Sequence, residues 1–88
     1  MPYIKRDRRP NIRYHIHEAA GFIGNAGELN YAISTLIHEF LRRGGQAHYF
    51  DYNAVIGVLE CVKLELYSDR GPIGPYEQKK KDENGAIP

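Results

Sequence analysis

The sequence predicts an all-α fold, a small bundle of three main helices plus a short C-terminal helix that is stabilised by homo-oligomerisation. Apolar residues recur at three- and four-residue spacing in three stretches, and Gly- or Pro-rich turns separate those stretches. Self-association is expected because a chain of 88 residues buries little surface by itself. Its single cysteine, Cys61, excludes internal disulfides and cysteine-rich zinc sites.

A single helical domain is expected over the 88 residues. Residues 1–9 read as a basic N-terminal arm, residues 10–70 as the helical core, and residues 71–88 as a C-terminal segment with a polar tail. Pro10 suits the first turn of a helix, and apolar residues follow it at helical spacing. The first helix is therefore predicted over about residues 11–22.

The second helix has an apolar pattern without a gap. Its members are Leu29, Ala32, Ile33, Leu36, Ile37, Phe40 and Leu41. Glu28 lies in the first turn, where the helix dipole favours a carboxylate. Arg42 and Arg43 lie in the last turn, where it favours cations, and Gly44 with Gly45 is predicted to end the helix.

The third helix is predicted over residues 52–68, with Asp51 or Asn53 as its cap and residues 46–50 as a short connection. Its apolar residues cover most of its girth rather than one stripe. They are Val55, Ile56, Val58, Leu59, Val62, Leu64 and Leu66. Such a helix is buried on more than one side, and in so short a chain a second subunit is the expected cover.

The C-terminal segment begins with GPIGP at residues 71–75, which ends the third helix. A short last helix is predicted from Pro75 through the lysines at residues 79–81. KDENGAIP at residues 81–88 reads as a polar tail.

Membrane association is not expected. No apolar run approaches the roughly 20 residues that span a bilayer, and no apolar region follows the N-terminal charges as in a secretory signal. A lone cysteine fits a reducing compartment, so a cytoplasmic location is expected.

Polar ridges flank the apolar faces of the second and third helices. The ridge on the second helix consists of Glu28, Tyr31, Thr35 and Arg42. The ridge on the third helix consists of Asn53, Glu60, Lys63 and Tyr67. If the two helices pack antiparallel across their short connection, both ridges border one groove. The alternative is that both are solvated faces, whose exposed ion pairs contribute little to stability.

Catalytic and metal chemistry find little support in the sequence. Cys61 lies in an apolar helix, where an inert buried thiol is common. His15 and His17 are two residues apart and point in different directions on a helix. GFIGNAG at residues 21–27 has glycines but no following Lys-Ser/Thr pair, as a phosphate loop requires. We therefore expect no catalytic residue, no metal site, no cofactor and a non-enzymatic protein.

Basic residues cluster in the N-terminal arm and in the lysines at residues 79–81. The arm contributes Lys5, Arg6, Arg8 and Arg9. These clusters could bind nucleic-acid phosphates. The nearby acids Asp7, Asp82 and Glu83 reduce the positive electrostatic potential of these clusters. The net charge of the chain, +1, is also too small to predict nucleic-acid binding by itself.

Four sequence blocks carry a resemblance to a known family: MPYIKRDRR at residues 1–9, GELNYAI at residues 27–33, YNAVIGVLECVKLELY at residues 52–67 and PYEQKK at residues 75–80. Together they resemble a family of short uncharacterised proteins from bacteriophages, prophages and bacteria. The resemblance implies a mobile-element origin rather than a mechanism. SDRGPIG at residues 68–74 departs from it, because a basic, helix-continuing stretch is expected there.

These observations lead to one functional hypothesis. The chain is expected to be a phage-type accessory protein in the host cytoplasm that binds a small anionic ligand, such as a nucleotide signal sequestered from host antiviral defence. The expected binding residues are Glu28, Tyr31, Arg42, Asn53, Glu60, Lys63, Tyr67 and Tyr76. The tyrosines would stack on a base, the cations would bind phosphates, and the acids and amide would bind base or ribose edges. The alternatives are a host-protein-binding adaptor and a nucleic-acid-binding regulator of a mobile element.

Overall fold

The computed structural model describes residues 4–84, which form four helices. They are α1 (Arg9–Ala20), α2 (Ala26–Arg42), α3 (Tyr49–Tyr67) and α4 (Ile73–Asn84). No strand occurs within residues 4–84, so the predicted all-α class is confirmed. The chain divides into two units, the first ending at Ala47 and the second beginning at His48. The first unit contains α1 and α2, and the second contains α3 and α4.

Helix α1 begins and ends two residues earlier than predicted. A turn precedes it, in which the Arg8 amide donates to the Lys5 carbonyl at 3.0 Å. Pro10 lies in the first helical turn, as predicted, because its missing N–H would have no helical partner there. Gly21 ends the helix, and its amide donates to the Glu18 carbonyl at 3.2 Å. The predicted arm therefore loses its last residue to α1.

Helix α2 begins at a side-chain cap that the apolar pattern did not predict. The Glu28 amide donates to Oδ1 of Asn25 at 2.8 Å, and Oε1 of Glu28 accepts from the Gly24 amide at 2.7 Å. The first bond satisfies a free N–H group of the first helical turn, and the second ties the residue before the cap to that turn. Arg42 lies in the last turn, as predicted, and Gly45 follows with a φ of 95° that favours glycine.

Replacing Asn25 with alanine is expected to lower the free energy of unfolding by about 1 kcal/mol, because the cap oxygen is lost. Urea denaturation followed by circular dichroism measures this change. Asn25→Asp is the control and should retain most of the stability, because aspartate caps helices about equally well. Equal stability of the alanine variant and the parent chain would contradict this cap.

Helix α3 begins at Tyr49, three residues before the predicted start, and it includes two residues assigned to the connection. The physical reason is a capping contact in which the His48 amide donates to Oδ2 of Asp51 at 2.8 Å. The N-cap residue is therefore His48, and not Asp51 or Asn53 as predicted. Asp51 lies at the third helical position, from which its carboxylate accepts the bond from the His48 amide.

The turn between α3 and α4 is built on Ser68. Its hydroxyl donates to the Glu65 carbonyl at 2.7 Å and accepts from the Arg70 amide at 3.3 Å. Gly71 follows in close contact with the backbone of Glu65 and Leu66, where a Cβ would lie 2.7 Å from the Leu66 carbonyl carbon. The turn therefore requires a residue without a side chain at position 71.

Helix α4 is longer than the predicted segment from Pro75 to residue 81. It begins at Ile73 because Pro75 lies in the first turn, where no helical N–H partner is needed. It continues into the predicted polar tail, where Nε2 of Gln78 donates to Oδ1 of Asp82 at 3.0 Å. The last four residues of that predicted tail lie outside the described residues.

No residue within the described part of the chain is buried, although its apolar residues are numerous. Phe40 on α2 is 51% exposed and Leu64 on α3 is 63% exposed. The apolar patterns predicted the helices correctly, but the expected core is not enclosed. No helix among residues 4–84 combines the length and the apolar character that crossing a membrane requires.

Candidate functional site

Three of the predicted binding residues lie on α2, in the first unit. Glu28 already serves the start of the helix through its bond to the Gly24 amide. Tyr31 is 73% exposed, one turn further along. Nη1 of Arg42 lies 3.4 Å from Oε1 of Glu39, so this guanidinium has an acidic partner on its own helix. About 21 Å of helix rise separates Glu28 from Arg42, which is too far for one small ligand to contact both along α2.

The other five predicted residues lie in the second unit. Asn53, Glu60, Lys63 and Tyr67 lie on α3, and Tyr76 lies on α4. Nζ of Lys63 is 3.6 Å from Oε1 of Glu60, and both side chains are largely exposed, so the pair contributes little to stability. Nζ of Lys80 lies 5.8 Å from the centre of the Tyr76 ring.

The groove predicted between the two ridges requires residues from both units. Its α2 members belong to the first unit and its α3 members to the second. Arg42 pairs with Glu39 on its own helix, and Lys63 pairs with Glu60 within the α3 ridge. The joint groove stays a prediction.

A different concave surface lies on the first unit, at the start of α1. It is a shallow, open depression lined by Arg6, Arg9, Pro10, Arg13, Tyr14 and His17. We call it the α1 basic depression. Arg9, Arg13 and His17 follow each other at four-residue spacing, so they lie along one helix face with a rise of about 6 Å between neighbours.

The electrostatic character of the α1 basic depression is positive. None of its lining residues is acidic, and three of them carry guanidinium groups. Nε of Arg9 donates to the Ile4 carbonyl at 2.9 Å, which fixes this guanidinium while leaving its other N–H groups available. The carboxylate of the nearby Glu18 lies 4.0 Å from Nδ1 of His15. Arg6 and Arg13 form no ion pair within residues 4–84.

An aromatic ring borders these charges. Tyr14 is 59% exposed, and the His15 ring meets it edge-on with the ring centres 5.3 Å apart. One face of an exposed tyrosine next to guanidinium groups can stack on a planar ligand whose phosphates the guanidiniums bind. The depression can therefore hold a planar group and an anionic group together.

A second depression on α2 is lined by Leu36, Glu39, Phe40, Arg42 and Arg43. Its cations already have partners, because Arg42 pairs with Glu39 and the Arg43 guanidinium lies 4.7 Å from the centre of the Phe40 ring. It is therefore less suited to bind an anion than the α1 basic depression. Among residues 4–84, no group of three or more His, Cys, Asp or Glu side chains is placed to hold a metal ion.

Sequence reasoning identified only part of the α1 basic depression. Arg6 and Arg9 belong to the arm whose basic residues could bind phosphates, whereas the sequence analysis does not assign Arg13, Tyr14 or His17 to an anion site. The signal that could have revealed them is the four-residue spacing of Arg9, Arg13 and His17 beside a tyrosine. Of the predicted arm, Lys5 and Arg8 do not line the depression.

The chain matches a known protein family. A model of the family described as "Domain of unknown function (DUF6899)" matches residues 1–87. This match confirms the expected likeness to an uncharacterised family, while the distribution among phages and bacteria stays a prediction. No curated protein and no solved structure matches the chain.

Proposed function

We propose, from the premise that this chain belongs to the family of unknown function DUF6899, that it is a non-enzymatic, self-associating protein that binds a small anionic ligand. The ligand class is a nucleotide, with phosphates and a planar base. The observation that carries this proposal is the α1 basic depression, which three arginines and a tyrosine line and which has no acidic residue in its lining.

The chemistry of the α1 basic depression matches a nucleotide in two respects. Guanidinium groups bind phosphate oxygens through paired N–H donors, and these charge-assisted bonds are about twice as strong as neutral ones. Tyr14 offers an aromatic face to a base. His17 can add a further donor.

The proposed role in a phage or prophage rests on the four sequence blocks that resemble a family of phage, prophage and bacterial proteins. A phage or prophage protein of this size that binds a nucleotide would sequester a signal of host antiviral defence rather than convert it. Binding without conversion fits a depression whose lining residues include guanidinium donors and an aromatic ring but no carboxylate and no thiol. Of the side chains that commonly act as bases or nucleophiles, only Tyr14 and His17 line it.

Isothermal titration calorimetry of the full chain against linear and cyclic nucleotides tests the proposal. We expect saturable binding of at least one nucleotide and no chemical change in it, as judged by chromatography of the mixture. Nucleosides without phosphates are the control and should bind at least about tenfold more weakly, because the guanidinium contacts are lost. No heat of binding from any nucleotide at high protein concentration would overturn the proposal.

A second candidate function is nucleic-acid binding, which the linear order of the charges favours. Arg6, Arg9, Arg13 and His17 succeed each other along one surface, and such a series could follow a phosphate backbone. A single-stranded oligonucleotide in the same panel separates the two functions. If the oligonucleotide binds more tightly than every mononucleotide, and if its affinity falls steeply with salt concentration, nucleic acid is the ligand. The salt dependence is expected because binding to a phosphate backbone releases counterions.

A further inference from the structure

We propose that Arg9 positions Arg6 in the α1 basic depression by fastening the residues before α1 to the start of that helix. We call residues 4–8 the N-terminal strap. This positioning role rests on the proposed function, because it concerns anion binding at the same depression, but it does not require that the anion is a nucleotide. Its tests use amide exchange and pyrophosphate, so they remain decisive if nucleotides fail to bind.

The N-terminal strap folds back through three hydrogen bonds. The Arg8 amide donates to the Lys5 carbonyl at 3.0 Å, and the Arg9 amide donates to the Arg6 carbonyl at 3.3 Å. Both bonds join residues three apart, as in β-turns, whose end residues lie within about 7 Å of each other. In the third bond, Nε of Arg9 donates to the Ile4 carbonyl at 2.9 Å and closes the strap on the helix.

The folded strap brings Arg6 to the anion site. Three residues of extended chain would place the Cα of Arg6 about 10 Å from that of Arg9, in the direction in which the chain leaves the helix. In the folded strap, Arg6 lines the same depression as Arg9 and Arg13. One cation of the site therefore comes from the strap, and the other two come from α1.

The side chain of Arg9 makes the strongest of the three bonds that hold the strap. Its donor is a charged guanidinium, and charge-assisted hydrogen bonds are about twice as strong as neutral ones. The other two join neutral backbone groups that water can also satisfy. Four of the five N–H donors of the guanidinium remain after the bond to Ile4, so Arg9 can hold the strap and bind an anion at the same time.

The start of α1 has little other support. Its N-cap residue is Arg8, and no side-chain cap bond forms there among residues 4–84, whereas Asn25 caps α2. Arg9 also precedes Pro10, and a residue before proline is disfavoured in the helical conformation that Arg9 adopts. The conformation of this segment therefore depends on the bond from the Arg9 side chain.

Amide hydrogen exchange of the full chain without ligand, measured by NMR, tests the strap. Arg9→Met removes the donor and keeps an unbranched side chain of similar helix propensity. The Arg8 amide should then exchange at least about threefold faster, because its bond to the Lys5 carbonyl opens with the strap. Arg13→Met is the matched control. It removes the same charge from the same helix without breaking the bond to the strap, so the rate should stay close to that of the parent chain. Equal rates in the two variants would contradict the proposal.

Titration with inorganic pyrophosphate at low ionic strength, followed by NMR, tests whether the strap delivers Arg6 to the anion. In the parent chain, Arg6→Ala should raise the dissociation constant at least about fivefold, because a charge-assisted bond to phosphate is lost. In the Arg9→Met background, the same substitution should change it less than about twofold, since the open strap no longer holds Arg6 at the site. In the Arg13→Met background, its full effect should remain.

The dependence between the two substitutions distinguishes positioning from a general loss. A purely structural defect in Arg9→Met would weaken binding by a common factor and would leave the effect of Arg6→Ala unchanged. Equal effects of Arg6→Ala in the Arg9→Met and Arg13→Met backgrounds would therefore overturn the proposal. Absence of pyrophosphate binding, or binding by the parent chain that Arg6→Ala does not weaken, would show that the strap supplies no cation and would overturn it as well.

Discussion

Replacing Gly71 with alanine is expected to lower the free energy of unfolding by about 1–3 kcal/mol, the range seen when a group is forced into occupied space. The methyl group would lie 2.7 Å from the Leu66 carbonyl carbon and would also overlap the carbonyl oxygens of Glu65 and Leu66. These atoms belong to the end of α3, so the turn could accept the methyl group only by moving backbone.

Thermal and urea unfolding at one fixed protein concentration measure this effect, because association alters apparent stability. Gly44→Ala is the matched control. A Cβ at position 44 meets nothing within 4 Å, so this change should leave stability nearly unaltered. If the two alanine variants unfold at the same urea concentration, the close approach of the turn to α3 is wrong.

Replacing Arg9 and Arg13 together with alanine is expected to weaken nucleotide binding at least about tenfold, because each guanidinium offers charge-assisted bonds to phosphate. Both residues line the α1 basic depression. The double variant should fold normally, since both side chains are exposed and alanine is the best helix former. Calorimetry with the tightest-binding nucleotide from the panel gives the measurement.

Two further variants distinguish a defined site from a general positive field. Arg8→Ala removes the same charge from the same segment, but Arg8 does not line the depression, so binding should change little. Arg13→Lys keeps the charge and should recover only part of the affinity, because an ammonium cannot present paired donors. Equal weakening by Arg8→Ala and Arg13→Ala would show that binding depends on overall charge rather than on the depression.

The helices could be predicted because their apolar spacing is local, whereas their boundaries depend on side-chain contacts that spacing does not show. The early start of α3 comes from the bond between the His48 amide and Asp51, and histidine is not a residue that marks a cap in a sequence. The sequence predicts that α4 begins at Pro75. The helix begins two residues earlier because a proline fits anywhere in the first turn, where its missing N–H has no helical partner.

The candidate site was only partly predictable for a related reason. The predicted groove depends on how two helices pack, and no spacing within either helix determines that. The α1 basic depression is instead local to one helix and the turn before it, so the positions of Arg9, Arg13 and His17 could have indicated it. Helix α1 has a weaker apolar pattern than α2, so its faces are less clearly defined by the sequence.

The absence of any buried side chain in residues 4–84 has a consequence for the life of this protein in a cell. If its stability comes from meeting another copy, newly made chains remain open to proteases until enough of them accumulate. The amount of active protein then rises more steeply than its rate of synthesis. Gene dosage and timing of expression, rather than affinity alone, would decide when the protein acts.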